Sequence, residues 1–276
     1  MTKNLNFFKN KIKEAWPDQD DISTEFIFYL KEKLYLSDVS IYVDNYLLSK
    51  DEEDSINKFI LLKKEGVPID YILEKSSFFG NNFYVDSRVL IPRPETELLV
   101  DFINKLNLQS SKIVIDAGTG SGCIGISLAI QNPNIKVYGL DFSKEALVVA
   151  NKNKKSLKVE NFVTVHSNWL SKIKNASCDL IVSNPPYISS EDEHLQDLTH
   201  EPLVALAALN NGLADFETIS SQATLKLVRG GMLAFEHGFN QKSQVSKIMK
   251  KNGFKNIETL KDHQGHPRVT VGILGN

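Results

Sequence analysis

The chain has 276 residues, 42% hydrophobic and 24% charged, which is an ordinary composition for a globular protein. Its 32 basic and 34 acidic residues give a formal charge of -2, whereas a protein that coats nucleic acid is strongly basic. No apolar run reaches the roughly 18 residues of a membrane span, and the two cysteines lie in apolar segments, as buried thiols of a reducing compartment do. We therefore expect a cytoplasmic protein with no membrane partner and, at this length, two domains of unequal size.

Residues 1–75 are predicted to form a small helical bundle. Apolar residues such as Leu5 and Phe8 recur at helical spacing in the first segment. Ser23 is a candidate N-cap for a second helix, and the apolar residues around Ile56 indicate a later one. The bundle has no chemical motif, so we expect it to recognise a partner.

Residues 76–92 have a different character. They are rich in aromatic and β-branched side chains, with Gly80-Asn81-Asn82 between them. This pattern is typical of a β-hairpin. We expect the hairpin to join the bundle to a third segment, 93–276.

From residue 112 onward, short apolar strands alternate with helices. Strand–helix alternation predicts an α/β domain whose mostly parallel sheet is covered on both faces. The last two strands form a closing pair. The predicted strands are 112–115, 136–140, 162–165, 180–182, 232–235, 257–260 and 269–274, with helices at 123–131 and after Ser143. Ligands of such sheets bind beyond the carboxyl ends of the strands, so the motifs there are the candidate site.

The first of these strands runs into Gly118-Thr119-Gly120-Ser121-Gly122. Glycines at alternate positions allow close approach to a ligand and a sharp turn into a helix, whose N-terminus offers free N–H groups. The turn alone does not specify a ligand. It could be only a tight connection, and its spacing differs from the GxGxxG of a dinucleotide site.

The second strand ends in Asp141. A carboxylate here has the two oxygens needed to accept hydrogen bonds from both hydroxyls of a ribose. Taken alone, Asp141 could simply precede a helix start. Together with the glycine turn, it indicates a nucleoside ligand, and no lysine follows the glycines to indicate phosphate binding.

The fourth strand ends in Asn184-Pro185-Pro186-Tyr187, the most specific motif of the chain. The prolines fix the backbone and project their carbonyls in set directions. Asn184 adds an amide oxygen and Tyr187 a flat face, so the motif forms a slot for a planar group that carries NH₂. The Asn184 oxygen and the Pro185 carbonyl can each accept one of its protons.

These motifs resemble those of the Rossmann-like methyltransferases that modify amide or amino nitrogens. Further segments resemble the glutamine methyltransferases of peptide chain release factors, a likeness that covers residues 65–276. These segments are Leu90-Ile91-Pro92-Arg93-Pro94-Glu95-Thr96-Glu97, Ser167-Asn168-Trp169, Glu201-Pro202-Leu203, Gly212-Leu213-Ala214-Asp215, Glu236-His237-Gly238 and 262–269. One departure is Asn168, where the family usually has aspartate before the aromatic residue.

The resemblance implies a role for each candidate site residue. S-adenosylmethionine, with S-adenosylhomocysteine as its product, is expected to contact Gly118, Thr119, Gly120, Ser121, Gly122, Asp141, Trp169 and Asn184. The target glutamine is expected to contact Asn184, Pro185, Pro186 and Tyr187, with Asn184, Pro185 and Tyr187 catalytic. No metal is implied. Arg93, Glu95 and Glu97 are expected to be structural at the mouth of the site, with Glu201 a further candidate.

The implied reaction is methylation of the glutamine in the Gly-Gly-Gln motif of class I peptide chain release factors, in support of translation termination. Two other enzymes use a similar slot, namely a glutamine methyltransferase of a ribosomal protein and a nucleic-acid adenine N6-methyltransferase. The formal charge of -2 disfavours the adenine methyltransferase, because a protein that binds nucleic acid directly is usually basic. Direct nucleic-acid binding is therefore not expected. A non-catalytic nucleoside-binding or scaffold protein is the alternative of a different class.

Overall fold

The chain divides into two units, Met1–Lys75 and Ser76–Asn276. The computed structural model describes residues 4–17, 19–43, 46–106, 108, 112–192, 195 and 198–275. None of the helices in these ranges has the length and apolar character that crossing a bilayer requires.

The first unit is helical. Its helices are α1 (Leu5–Ala15), α2 (Asp20–Lys33), α3 (Asp38–Tyr42), α4 (Lys50–Lys64) and α5 (Ile69–Leu73). Their buried faces form one apolar cluster that includes Leu5, Phe8, Phe26, Ile41 and Phe59. The short helices α3 and α5 were missed because five residues are too few to show a periodicity.

The start of α2 corrects one prediction. Ser23 does not cap this helix but lies within its first turns, because α2 already begins at Asp20. Asp20 and Asp21 occupy the first turn, where negative side chains interact favourably with the helix dipole. A capping box is present instead at α4, where Ser49 and Glu52 satisfy each other's backbone N–H groups.

The second unit begins with a hairpin that is shorter than the predicted segment 76–92. Strand β1 (Ser76–Phe78) pairs antiparallel with β2 (Asn81–Phe83). The turn consists of Phe79 and Gly80, both with positive φ (47° and 72°), as a two-residue hairpin turn favours. Residues 84–93 beyond it contain neither helix nor strand.

A seven-stranded sheet forms the centre of the second unit. Its strands are β3 (Ile113–Ala117), β4 (Lys136–Asp141), β5 (Phe162–His166), β6 (Cys178–Ser183), β9 (Leu227–Glu236), β10 (Phe254–Lys261) and β11 (Pro267–Leu274). The order across the sheet is β10-β11-β9-β6-β3-β4-β5. Strands β3, β4, β5, β6 and β9 pair in parallel, and β11 pairs antiparallel with both β9 and β10. The predicted α/β fold with its closing pair is therefore confirmed.

The remaining elements of this unit are helices and one small strand pair. The helices are α6 (Glu97–Lys105), α7 (Cys123–Gln131), α8 (Lys144–Ser156), α9 (Leu209–Gly212), α10 (Ala214–Lys226) and α11 (Lys242–Lys251). Strands β7 (Ile188–Ser189) and β8 (Ala207–Ala208) pair in parallel. The predicted N-cap Ser143 is confirmed, since its hydroxyl accepts the Ala146 N–H at 3.1 Å.

The chain reverses its direction across the sheet between β3 and β6. From β3 it continues through β4 to the edge strand β5, and it returns to β6 on the other side of β3. In parallel sheets the crevice at such a reversal is the usual ligand site. The carboxyl ends of β3, β4 and β6 meet there, and they bear the glycine turn, Asp141 and Asn184.

Candidate active site

The glycine turn is held by the buried carboxylate of Asp116 at the end of β3. Its Oδ2 accepts hydrogen bonds from the Thr119 hydroxyl at 2.6 Å and from the Gly125 N–H at 2.9 Å. Burial raises the pKa of Asp116 to about 6, against the effect of these two hydrogen bonds. The carboxylate thus joins both ends of the turn and fixes its shape.

Gly118 allows the indole of Trp169 to lie against the turn. Gly118 has a φ of +78°, and a Cβ placed on it would lie only 3.1 Å from Cζ3 of Trp169. The indole N–H donates to the carboxylate of Asp215, whose pKa is raised by burial. The aromatic face is therefore fixed from two directions.

Asp141 stands across from this face at the end of β4. Its Oδ2 accepts the Gly120 N–H and its Oδ1 the Ser143 N–H, both at 2.9 Å. Burial raises the pKa of Asp141, and these backbone hydrogen bonds oppose the rise. Each carboxylate oxygen has two lone pairs, so both can still accept a hydrogen bond from a ligand hydroxyl.

These groups line a large cavity of about 390 Å³. Its walls come from the glycine turn, the ends of β4 and β6, and the segments 88–96 and 202–207. The predicted residues among its lining are Gly118, Thr119, Gly120, Ser121, Asp141, Trp169, Asn184 and Pro186. Gly122 does not line it but stands directly before α7 as its N-cap. Within the described ranges, no group of three or more His, Cys, Asp or Glu residues could hold a metal ion.

The segment Asn184–Tyr187 is held by contacts at both of its ends. The hydroxyl of Ser183 donates to the Ala117 carbonyl at 2.6 Å, and Gln241 Nε2 donates to the Tyr187 carbonyl at 2.9 Å. That carbonyl also packs on Gly212, where a Cβ would come within 2.0 Å of its oxygen. A side chain at position 212 would therefore displace the slot.

A small pocket of about 130 Å³ adjoins the large cavity at Asn184. Pro185, Tyr187, Ile188, Leu198 and Leu206 line it, and Leu90, Arg93, Asn184 and Ala205 line both this pocket and the large cavity. Burial raises the pKa of Tyr187 well above its ordinary value, so its phenol stays protonated. Asn184 thus lines two adjoining spaces of very different size.

An ion pair between distant parts of the chain lies beside both spaces, which Arg93 lines. Arg93 donates to Oε1 of Glu201 at 2.5 Å, and Oε2 of Glu201 accepts the Ile91 N–H at 3.1 Å. Only 3% of the Glu201 side chain is exposed. Glu95 and Glu97 line neither space, and Glu97 instead accepts the Phe79 N–H at 2.8 Å.

Comparison with known proteins gives the family. A sequence model described as "Methyltransferase small domain" matches residues 94–267. The "Release factor glutamine methyltransferase" of Vibrio cholerae is 39% identical over 82% of this chain and 80% of its own length. The protein of the same name from Buchnera aphidicola subsp. Schizaphis graminum is 35% identical over 98% of both chains. The chain belongs to the release factor glutamine methyltransferase family.

A solved structure with a TM-score above 0.5 supports the fold separately. A methyltransferase from Pyrococcus furiosus superposes with a TM-score of 0.54 over 83% of this chain and all of its own, at 16% identity. The resemblance inferred from the sequence and the Rossmann-like methyltransferase fold are therefore confirmed.

Four residues of this site had no role assigned from the sequence. Asp116 holds the glycine turn and Asp215 the indole, while Thr96 and Glu236 lie buried behind Asn184. Asp116 stands two residues before the first glycine and could have been found from that position. The others belong to segments that match the family, but only the packing of the unit brings them to the site.

Proposed function

We propose that this protein transfers the methyl group of S-adenosylmethionine to the side-chain amide nitrogen of glutamine in the Gly-Gly-Gln motif of class I peptide chain release factors. Family membership supports the reaction and the substrate. The observation that carries the proposal is that Asn184 lines both a cavity of about 390 Å³ and an adjoining pocket of about 130 Å³. A methyl donor on one side and an amide on the other would meet at this residue.

The large cavity fits the cofactor. Its volume lies in the range of small-molecule sites, roughly 300–1,000 Å³. A Cβ on Gly120 would meet no atom within 4 Å, so the backbone of the turn is open to a ligand. We assign the ribose hydroxyls to the remaining lone pairs of Asp141 and the adenine to the face of Trp169. Gly118, Thr119, Gly120 and Ser121 would line the rest, with Gly122 supporting the turn from the start of α7.

The small pocket suits a glutamine side chain. At roughly 30 Å³ per water-sized group, its volume of about 130 Å³ approaches that of the side chain's five heavy atoms. The walls formed by Pro185 and Tyr187 match the planar amide. We assign Pro186, which lines the large cavity, to the boundary between donor and acceptor.

The reaction requires help because the lone pair of an amide nitrogen is shared with its carbonyl. When bound, S-adenosylmethionine supplies an electrophilic methyl group on a sulfonium. The Asn184 side-chain oxygen and the Pro185 carbonyl each accept a hydrogen bond from one N–H of the target amide and so fix its orientation. As positive charge develops on the nitrogen, these hydrogen bonds strengthen, which lowers the barrier selectively. The nitrogen–methyl bond would form as the sulfur–methyl bond breaks, S-adenosylhomocysteine would be the leaving product, and the methylated nitrogen would lose one proton to water.

We assign recognition of the whole release factor in part to the helical unit. Its described residues contain none of the chemical groups discussed above. They expose several large apolar side chains, among them Tyr35, Val39 and Tyr42. Exposed apolar patches of this kind mark interaction surfaces.

The test is a methyl-transfer assay with labelled S-adenosylmethionine against purified release factor, ribosomes and DNA. We expect label only in the release factor, on its Gly-Gly-Gln glutamine as located by mass spectrometry, and a strongly reduced rate of labelling with the Asn184→Ala variant. Label in a ribosomal protein or in adenine would support the corresponding alternative enzyme. Binding of S-adenosylmethionine without transfer to any of the three would support a non-catalytic protein.

A further inference from the structure

The orientation of the Asn184 amide determines whether the slot can work. An asparagine side chain presents an acceptor oxygen in one direction and an NH₂ donor in the other, and a half-turn exchanges them. In the proposed reaction the oxygen must face the target amide, since an NH₂ group would meet another NH₂ group there. Something behind Asn184 must therefore hold its NH₂ away from the small pocket.

Two buried side chains lie behind it. Asn184 Nδ2 donates to the Thr96 hydroxyl at 3.3 Å, and Thr96 is 2% exposed. Glu236 is 1% exposed and within hydrogen-bonding range of both Thr96 and Asn184. The register of β6 with β9 accounts for this position, because Ser183 pairs with Phe235 and the residues that follow are Asn184 and Glu236.

We propose that ionised Glu236 fixes the amide of Asn184 through Thr96, with its NH₂ group turned inward and its oxygen facing the target glutamine. An ionised carboxylate can only accept hydrogen bonds. The Thr96 hydroxyl therefore donates its proton to a hydrogen bond with Glu236, and its oxygen accepts a hydrogen bond from Asn184, which must present its NH₂ group. A protonated Glu236 can donate to Thr96 instead, so the Thr96 hydroxyl no longer has to accept from the Asn184 NH₂ group. Thr96 and Glu236 are positioning residues, since neither lines the small pocket and both act through Asn184. Glu236 does not line the large cavity, and Thr96 lies at its wall.

The surroundings of Glu236 place its ionisation close to neutral pH. Burial raises its pKa to about 7, while Thr96, Asn184 and the cation of Arg268 oppose the rise and Glu95 adds to it. Its Oε2 is buried with no hydrogen-bond partner among the described residues, which leaves the charge incompletely compensated. Tyr187 and Cys123 also feel this charge, but burial keeps both protonated there.

This inference rests on the proposed function, and the test keeps the two apart. Single-turnover methyl transfer to release factor is measured at saturating cofactor from pH 5.5 to 9, together with cofactor affinity by calorimetry. We expect the parental rate to rise with pH through about 7. Thr96→Val should lower the rate about 10- to 100-fold with little change in cofactor affinity, and Thr96→Ser, which keeps the hydroxyl, should restore most of it. Thr218→Val is the matched control, because Thr218 is exposed on α10.

Glu236→Gln supplies the second measurement. Glutamine keeps an acceptor oxygen but cannot ionise, so we expect a reduced rate without the rise near pH 7. A parental rate and pH profile in Thr96→Val would overturn the inference. If Glu236→Gln fails to fold, the comparison of Thr96→Val with Thr96→Ser still decides. If the parent transfers no methyl group to release factor, the proposed function fails instead. If Asn184→Ala is inactive while Thr96→Val is parental, only the positioning role fails.

Discussion

The helical unit and the sheet unit bury different kinds of side chain. Every buried side chain described in Met1–Lys75 is aliphatic or aromatic. The unit Ser76–Asn276 also buries polar and charged groups, among them Thr96, Asp116, Ser183, Glu201, Glu236 and Gln241. Burying such groups is costly unless each is hydrogen-bonded, so they persist only where they have a task. Of the six named here, Asp116 and Ser183 contact the glycine turn or the residue before it, and the other four lie at the segments beside Asn184–Tyr187.

The exposed surfaces differ in the same way. Among the described residues each unit exposes eight large apolar side chains, although the helical unit is less than half as long. Those of the helical unit are Phe7, Phe28, Tyr35, Val39, Tyr42, Val43, Leu47 and Leu61. One unit thus has a core of simple packing and many exposed apolar side chains for its length, and the other has a core that includes the polar groups of the candidate site.

The largest effect is expected at Asn184, where the difference between the units should be plainest. Asn184→Ala removes an acceptor for the target amide, and we expect the rate of single-turnover methyl transfer to fall roughly 10²- to 10³-fold. Cofactor affinity should change far less, because the glycine turn and Asp141 remain. Asn175→Ala, at an exposed asparagine, is the control. A near-parental rate in Asn184→Ala would remove the slot from the reaction.

The buried carboxylates predict a pH dependence of stability that belongs to the sheet unit. Burial raises the pKa of Asp116 to about 6, above its unfolded value of about 4. The folded state therefore holds this proton more tightly, and the resulting stability is complete below about pH 4 and lost as the pH rises through 6. Asp116→Asn cannot ionise, so its stability relative to the parent should increase by on the order of 2 kcal/mol from pH 4 to pH 7.

Urea unfolding of the parent and Asp116→Asn at the two pH values measures this difference, and other titrating groups cancel between the two proteins. Glu258→Gln, at an exposed residue of β10, serves as the control and should show no comparable change. Equal shifts in both variants would mean that the burial of Asp116 does not govern its ionisation.

A smaller effect is expected at Asp141. Asp141→Ala removes the proposed acceptor of the ribose hydroxyls, and since a hydrogen bond to a charged group contributes roughly 1.5–3 kcal/mol, affinity for S-adenosylmethionine should fall at least about tenfold. Calorimetric titration of the folded variant measures it. A dissociation constant equal to that of the parent would place the nucleoside elsewhere.

The smallest effect sharpens the role of the helical unit. Val39→Ser combined with Tyr42→Ser makes its exposed surface more polar, and we expect the KM for intact release factor to rise about three- to tenfold. The kcat and the cofactor affinity should be unchanged. Val148→Ser combined with Leu225→Ser makes the matched change on the sheet unit. An equal rise of KM in both double variants would argue against a specific docking surface on the helices.

Local sequence pattern was sufficient for the helices and strands with a clear period or a strong start signal. Helix α7 has the bounds 123–131 that were predicted, and Ser143 caps α8 as predicted. The errors lie where several signals compete. Asp20 and Asp21 start α2 before Ser23. The hairpin turn consists of Phe79 and Gly80, whereas Gly80-Asn81-Asn82 was expected between the strands.

The sequence by itself determined the family, the sheet and the two motifs nearest to the reaction, because glycine conformations, paired prolines and strand ends are local properties. Only the tertiary structure decided which distant groups contact these motifs. Glu236 reaches Asn184 through the register of β9 with β6, and Arg93 meets Glu201 across 108 positions of sequence. Buried polar groups find their partners through packing over long separations, and no periodicity or spacing within a short segment encodes such pairs.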